Sequence, residues 1–210
     1  GNGMHVHLLL YKQGAPLFYD PAGYSGLSET ALWFIGGVLK HVAGLCALTN
    51  PTTNSYRRLV SGYEAPVTVG FATANRSAVI LVPAYATAPE KKRFELRSID
   101  ATCNPYYAFA AIVMAWLDGV ENRIDPVAAG WGPYDFNLYQ LSAAEQSKLQ
   151  SLPTGLRQAV AALAADHDYL LKGGVFSEQL LDIWCRRRLK QAEEIDSYPH
   201  PAEFKLYYDL

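Results

Sequence analysis

The sequence predicts an α+β protein, on three observations. Short strand-like segments at residues 6–11, 67–73, 78–83 and 93–98 carry their polar groups within apolar surroundings. Two long stretches instead repeat apolar residues at helical spacing between clear start and stop signals. No internal repeat or low-complexity segment interrupts the 210 residues, half of which are hydrophobic and 18% charged, so one domain with a sizeable core is expected.

Taken in order, residues 6–11 read as an apolar strand, followed by the turn-rich connection GAPLFYDPAGYSG. Ser28 can cap a helix whose first turn places Glu29 at the positive dipole end. Leu32, Ile35, Leu39 and Val42 then recur at helical spacing until Asn50-Pro51 forbids continuation. Residues 67–73 and 78–83 read as strands joined across Asn75-Arg76, and 93–98 as another. A second helix has Asn104 as cap and Pro105 at its first position. It stays apolar on nearly every face through Leu117 and is expected to stop at Gly119 and to be buried. GWGPYDFNLYQLS reads as a long loop, and residues 154–165 and 177–194 as amphipathic helices. HPAEFKLYYDL closes the chain as an apolar, extended tail. Phe204, Leu206, Tyr207, Tyr208 and Leu210 are too many large apolar residues for a free end, so the tail is expected to dock on its own domain or on another subunit.

Several functions are excluded. A net charge of -2 gives no basic footprint for nucleic acid and no polybasic patch for a membrane. The longest apolar run, residues 106–117, is too short to span a bilayer, and the N-terminus reads as no signal peptide. Cys46, Cys103 and Cys185 are odd in number, far apart and at no metal spacing, so three reduced thiols in a cytoplasmic protein are expected. Gly1, in a glycine-rich opening without an initiator Met, reads as the interior of a larger fold.

Chemistry concentrates in NGMHVH, NSYRRLVSGYEAP, ANRSA and KKRFELR. Strand alternation puts His5 and His7 on one side of their segment and Glu95 and Arg97 on one side of theirs. Imidazole, carboxylate and several guanidinium groups together suit a divalent cation, a polyphosphate and an anionic small substrate. Singly, each has a structural explanation: a hydrogen-bonded histidine pair, a solvated strand face, arginines at a helix end, a Gly-Pro turn around Glu64. The Glu64 loop also reads as a mobile flap bringing a carboxylate to a reacting centre.

In order and spacing, NGMHVH, LSETALWFIGGVLKH, NPTTNSYRRLVSGYEAP, NRSA, RFELR, CNPYYAFAAIVMAWLDG, NLYQL, GGVF and HPAEFKLYYDL resemble the C-terminal part of the catalytic domain of type I bacterial and archaeal glutamine synthetases. The resemblance implies a curved, mainly antiparallel sheet backed by helices. It also implies an ATP-dependent ligase that phosphorylates glutamate on its side-chain carboxylate and lets ammonia displace the phosphate. By the same resemblance His5 and Glu95 are ligands of a Mg2+ or Mn2+ ion between the nucleotide phosphates, and His7 lies in the nucleotide site. Arg58 and Arg97 grip glutamate, and Gly1 lies in a loop beside it. Glu64 is the flap carboxylate that shields the acyl phosphate and takes a proton from ammonium, Arg76 stabilises the transferred phosphoryl group, and Tyr139 falls on the tyrosine that some members adenylylate.

Three positions depart from the family pattern. Leu9 replaces a serine and Leu81 an arginine, each removing a polar contact to nucleotide or phosphate, and Glu90 stands where basic residues are common. The resemblance places the remaining metal carboxylates and a small N-terminal domain upstream of these 210 residues. The chain alone is therefore expected to be inactive, its parent being a cytoplasmic homo-oligomer, a double-ringed dodecamer by similarity. The alternatives are a ligase joining glutamate to a polyamine or methylamine, and a silent homologue serving as an assembly module.

Overall fold

Helix α1 starts where Ser28 allows it. In the computed structural model, which describes residues 2–60, 65–73, 75–136 and 138–209, the Ser28 hydroxyl oxygen accepts from the Ala31 N–H and α1 runs Glu29–Thr49. Ile35, Leu39, Val42 and Cys46 are all buried. α1 is the one helix among the described residues long and apolar enough to cross a membrane, yet 78% of its most apolar window is buried inside the protein. Its composition is therefore that of a central core helix.

Helix α1 packs against two others, α3 (Pro105–Glu121) and α5 (Leu156–Ala165). Between α1 and α3 lies the single-turn helix α2 (Ser55–Arg58). The cap on α3 is as expected, with Asn104 accepting from the Tyr106 N–H, but the helix continues through Gly119. That glycine serves a close approach and not termination: a Cβ there would lie 2.2 Å from the Trp33 carbonyl oxygen and 2.7 Å from Gly37 Cα on α1. The expected burial of α3 holds for one side only. Tyr106, Phe109, Val113 and Leu117 recur along its outer face and are exposed, because no described element covers them.

Four strands form the main sheet in the order β1, β6, β5, β4: Val6–Leu8, Phe94–Leu96, Ala78–Val82 and Thr68–Thr73. β1–β6 and β6–β5 are antiparallel, whereas β5–β4 is parallel, with a register break between Thr68 and Phe71. A separate antiparallel hairpin pairs β2 (Tyr11–Lys12) with β3 (Ala15–Pro16). The mainly antiparallel expectation thus holds, with β4 as the exception; its other neighbours are loop residues, since Phe71 N–H donates to Trp131 O and Tyr134 N–H to Phe71 O. An aromatic cluster joins sheet to helices, with Phe18 stacked on Phe94 at 5.5 Å and edge-on to Phe34 at 5.2 Å, and Trp116 against both Phe34 and Phe94.

The C-terminal third is helical. α4 (Ala143–Gln146) and α6 (Asp168–Leu171) are single turns, and α7 (Glu178–Asp196) is capped by Ser177, which accepts from Leu180 N–H. α5 and α7 pack together. The tail departs from expectation. It forms helix α8 (Pro201–Tyr207), with Pro201 at the first position and His200 Nδ1 accepting from Ala202 N–H. It does not lie back on its own domain: Phe204, Leu206, Tyr207 and Tyr208 are all exposed.

Candidate active site

Pairing register assembles the polar groups. His7 on β1 stands directly opposite Glu95 on β6, and His5 and Arg97 lie two residues away from them, so alternation carries all four to one face. His5 Nδ1 is 2.7 Å from Glu95 Oε1 and His7 Nε2 is 3.8 Å from Oε2. Arg97 Nε donates to Glu95 Oε1 at 3.2 Å, and its Nη1 donates to the Arg76 carbonyl oxygen. Glu95 and Arg97 are buried, while the two imidazoles are partly open to solvent.

Arg76 sits in the turn between β4 and β5, which Asn75 holds in place. The Asn75 amide donates to the carbonyls of Tyr134 and Phe136, both at 2.8 Å, and its oxygen accepts from the Ser77 N–H and hydroxyl. Asp135 of the same loop accepts from Thr73 N–H and from the Tyr24 hydroxyl, both at 2.7 Å. Arg58, the last residue of α2, reaches the backbone that follows β6. Its Nη1 donates to Ser98 O and its Nη2 to Arg97 O, each at 3.0 Å. Gly3 makes room for it, since a Cβ there would lie 2.6 Å from Arg58 Nη2.

The guanidinium groups of Arg58 and Arg97 and the His7 ring all act on His5 beside Glu95, cationic and imidazole groups that suit an anionic ligand. Burial lowers the His5 pKa below its ordinary value; Glu95 opposes the shift, and Arg97, Arg58 and His7 add to it. The neutral imidazole this favours is the form that can ligate a metal. Burial also draws Arg58 down, against the attraction of Asp100. His5 and Glu95 offer nitrogen and oxygen donors fit for a divalent cation, yet no group of three or more His, Cys, Asp or Glu that could hold a metal occurs among the described residues. The donor set is partial.

Leu81 is the register partner of Glu95 on β5. An apolar side chain thus stands beside the carboxylate where the resemblance implies an arginine. Gly1 and Glu64 lie outside the described residues, as does the Tyr139 side chain; the Tyr139 backbone is in the turn Leu138–Gln140. Sequence reasoning missed Gly3, Asn50, Asn75 and Asp100, whose contacts run between distant segments. A cavity of about 440 Å³ lined by Tyr56, Arg57, Leu156, Arg157, Ile195 and Asp196, among others, includes none of the site residues.

The family model described as glutamine synthetase, catalytic domain, matches residues 1–207. This chain belongs to that family. The glutamine synthetase of Frankia alni is 50% identical over the whole chain, and that of Aquifex aeolicus 48%, the chain spanning 44% of each relative. Among solved structures, a GmaS/ADP complex is 34% identical with a TM-score of 0.82, covering all of this chain and 46% of that one. The cryo-EM structure of Plasmodium falciparum glutamine synthetase is 25% identical with a TM-score of 0.84, covering 99% and 47%. The chain therefore spans less than half the length of these glutamine synthetase relatives.

Proposed function

We propose that residues 1–210 are the C-terminal portion of a glutamine synthetase catalytic domain, a glutamate–ammonia ligase acting through γ-glutamyl phosphate in the cytoplasm. One observation carries the reading: an imidazole pair, a carboxylate and arginines from separate segments converge about one sheet face in a chain of this family. In this scheme the planar forks of Arg58 and Arg97 bind the carboxylates of glutamate, with Gly1 beside it. Arg76 supports charge on the transferred phosphoryl group, and His7 faces the nucleotide. Glu64 excludes water from the acyl phosphate and accepts a proton from ammonium. His5 and Glu95 would hold a Mg2+ or Mn2+ ion, which when bound offsets phosphate charge. Tyr139 is the proposed adenylylation site. The ADP complex of the GmaS relative supports a nucleotide site on this fold.

The described residues hold no group of three or more metal donors, and in this reading the 210 residues carry a partial site that the parent protein completes. Glutamate- and ammonia-dependent phosphate release, measured on the chain and on the intact protein, checks this. The intact protein is expected to turn over and the chain to be silent. Turnover by the chain alone refutes the partial site, and silence of the intact protein refutes the ligase. Offering methylamine and a polyamine beside ammonia identifies the amine.

Two bare apolar surfaces support further packing partners: the outer face of α3, suited to the rest of the parent polypeptide, and α8, suited to another subunit of a homo-oligomer, a dodecamer by family similarity. Deleting residues 198–210 is expected to reduce the intact protein to smaller species, read by light scattering after size exclusion. An unchanged mass would assign α8 no part in assembly.

A further inference from the structure

We infer that Asn50 is a positioning residue for Arg58, acting through the carbonyl of Ser98; the inference rests on Arg58 being a substrate-carboxylate group. Asn50 is the residue at which α1 ends, and it is fully buried. A buried primary amide is costly unless its donors and acceptor are all engaged. Here all of them have partners. Its Nδ2 donates to Ser98 O at 2.7 Å and lies 3.3 Å from Asp100 Oδ2, while its oxygen lies 2.8 Å from the Thr49 hydroxyl.

Ser98 O is the shared atom. It accepts from Asn50 Nδ2 and also from Arg58 Nη1, so both its lone pairs are used. Arg58 Nη2 meanwhile donates to Arg97 O, the preceding carbonyl. Two consecutive carbonyls thus hold the flat guanidinium, and the orientation of the second is fixed from behind by Asn50. The segment is clamped at its far end as well: Asp100 N–H donates to Thr49 O, Met4 N–H donates to Ile99 O, and Asp100 Oδ1 accepts from Thr102. Asn50 is therefore the side chain that ties the C-terminus of α1 to the residues from which Arg58 hangs. Among the described residues, Arg58 makes its side-chain hydrogen bonds through Nη1 and Nη2 to these two carbonyls. An arginine so held loses little rotational freedom on binding a carboxylate, which keeps its contribution to affinity high.

The test is Asn50→Ala in the intact protein, with Thr49→Val as a milder variant that leaves Asn50 in place without its hydroxyl partner. Asn50→Ala is expected to raise the KM for glutamate about tenfold and leave the KM for ATP within about twofold, Thr49→Val moving glutamate KM less in the same direction. In a double-mutant cycle, Asn50→Ala added to Arg58→Lys is expected to cost no more than Arg58→Lys alone. Crystal structures of both variants give a readout independent of turnover: Arg58 is expected to leave the Arg97 and Ser98 carbonyls in Asn50→Ala and to shift less in Thr49→Val. Arg58 unmoved in those structures overturns the inference whatever the kinetics, and so does an unchanged glutamate KM with Arg58 displaced. An inactive wild type with Arg58 displaced in the variants would refute the ligase and uphold the positioning.

Discussion

Gly119→Val is expected to lower the unfolding free energy by about 3 kcal/mol or more, at the upper end of overpacking costs. The reason is what the new side chain would meet. A Cβ at position 119 falls 2.2 Å from Trp33 O and 2.7 Å from both Gly37 Cα and Gly37 N, all backbone atoms that no change of rotamer can clear. Gly37 sees the converse, its Cβ falling 2.1 Å from Ala115 O and 2.7 Å from Gly119 Cα. Two glycines facing each other let α1 and α3 cross with their backbones in contact, and any side chain there pushes the helices apart. Separation would loosen the aromatic cluster of Phe18, Phe34, Phe94 and Trp116 that joins the helices to β6, the strand carrying Glu95. Denaturant midpoints check the effect, with Gly155→Ala as control. Nothing lies within 4 Å of a Cβ at Gly155 and its φ of −161° is extended backbone, so that change is expected within about 0.5 kcal/mol. A Gly119→Val protein as stable as Gly155→Ala would show that the crossing is not close.

These glycines mark where the sequence stops being legible. Ser28 and Asn104 announced their helices because a cap acts within three residues of itself. Gly119 looked like a stop signal because close approach to a helix about eighty residues earlier leaves no local trace. The site divides in the same way. His5, His7, Glu95 and Arg97 were readable because a period of two is local, and the register of β1 on β6 then completed the arrangement. The Arg58 acceptors were not readable, being backbone carbonyls that carry no residue-type signature. The tail was misread for a related reason. His200 and Pro201 are helix-start residues, but its apolar content drew attention to docking instead.

Asp118→Asn is expected to cost about 3 kcal/mol, the penalty for removing the charge of a buried, hydrogen-bonded carboxylate whose lysine partners are half exposed. His41, on α1, is buried, with Nε2 3.0 Å from Asp118 Oδ2 and Nδ1 2.7 Å from Asp166 Oδ2, and Tyr169 stacks on its ring at 3.8 Å. Asp118 also accepts from Lys40 at 3.1 Å, Lys172 at 2.9 Å and Asn122 at 3.0 Å. Burial works against its charge, but the hydrogen bonds from Lys172, His41 and Lys40 outweigh that and hold its carboxyl well below the usual carboxylate range. The sign of the pH dependence follows. A depressed folded-state pKa means the unfolded chain binds the proton more readily, so this stabilisation is complete above about pH 4 and is lost as pH falls further toward the folded value. Asp118→Asn should therefore flatten the acid limb of stability against pH while lowering the plateau. Asp166→Asn is the contrast: its side chain is 45% exposed, so water can replace what is lost, and about 1 kcal/mol or less is expected. Equal losses from the two substitutions would place the weight of the network on His41 packing and not on Asp118.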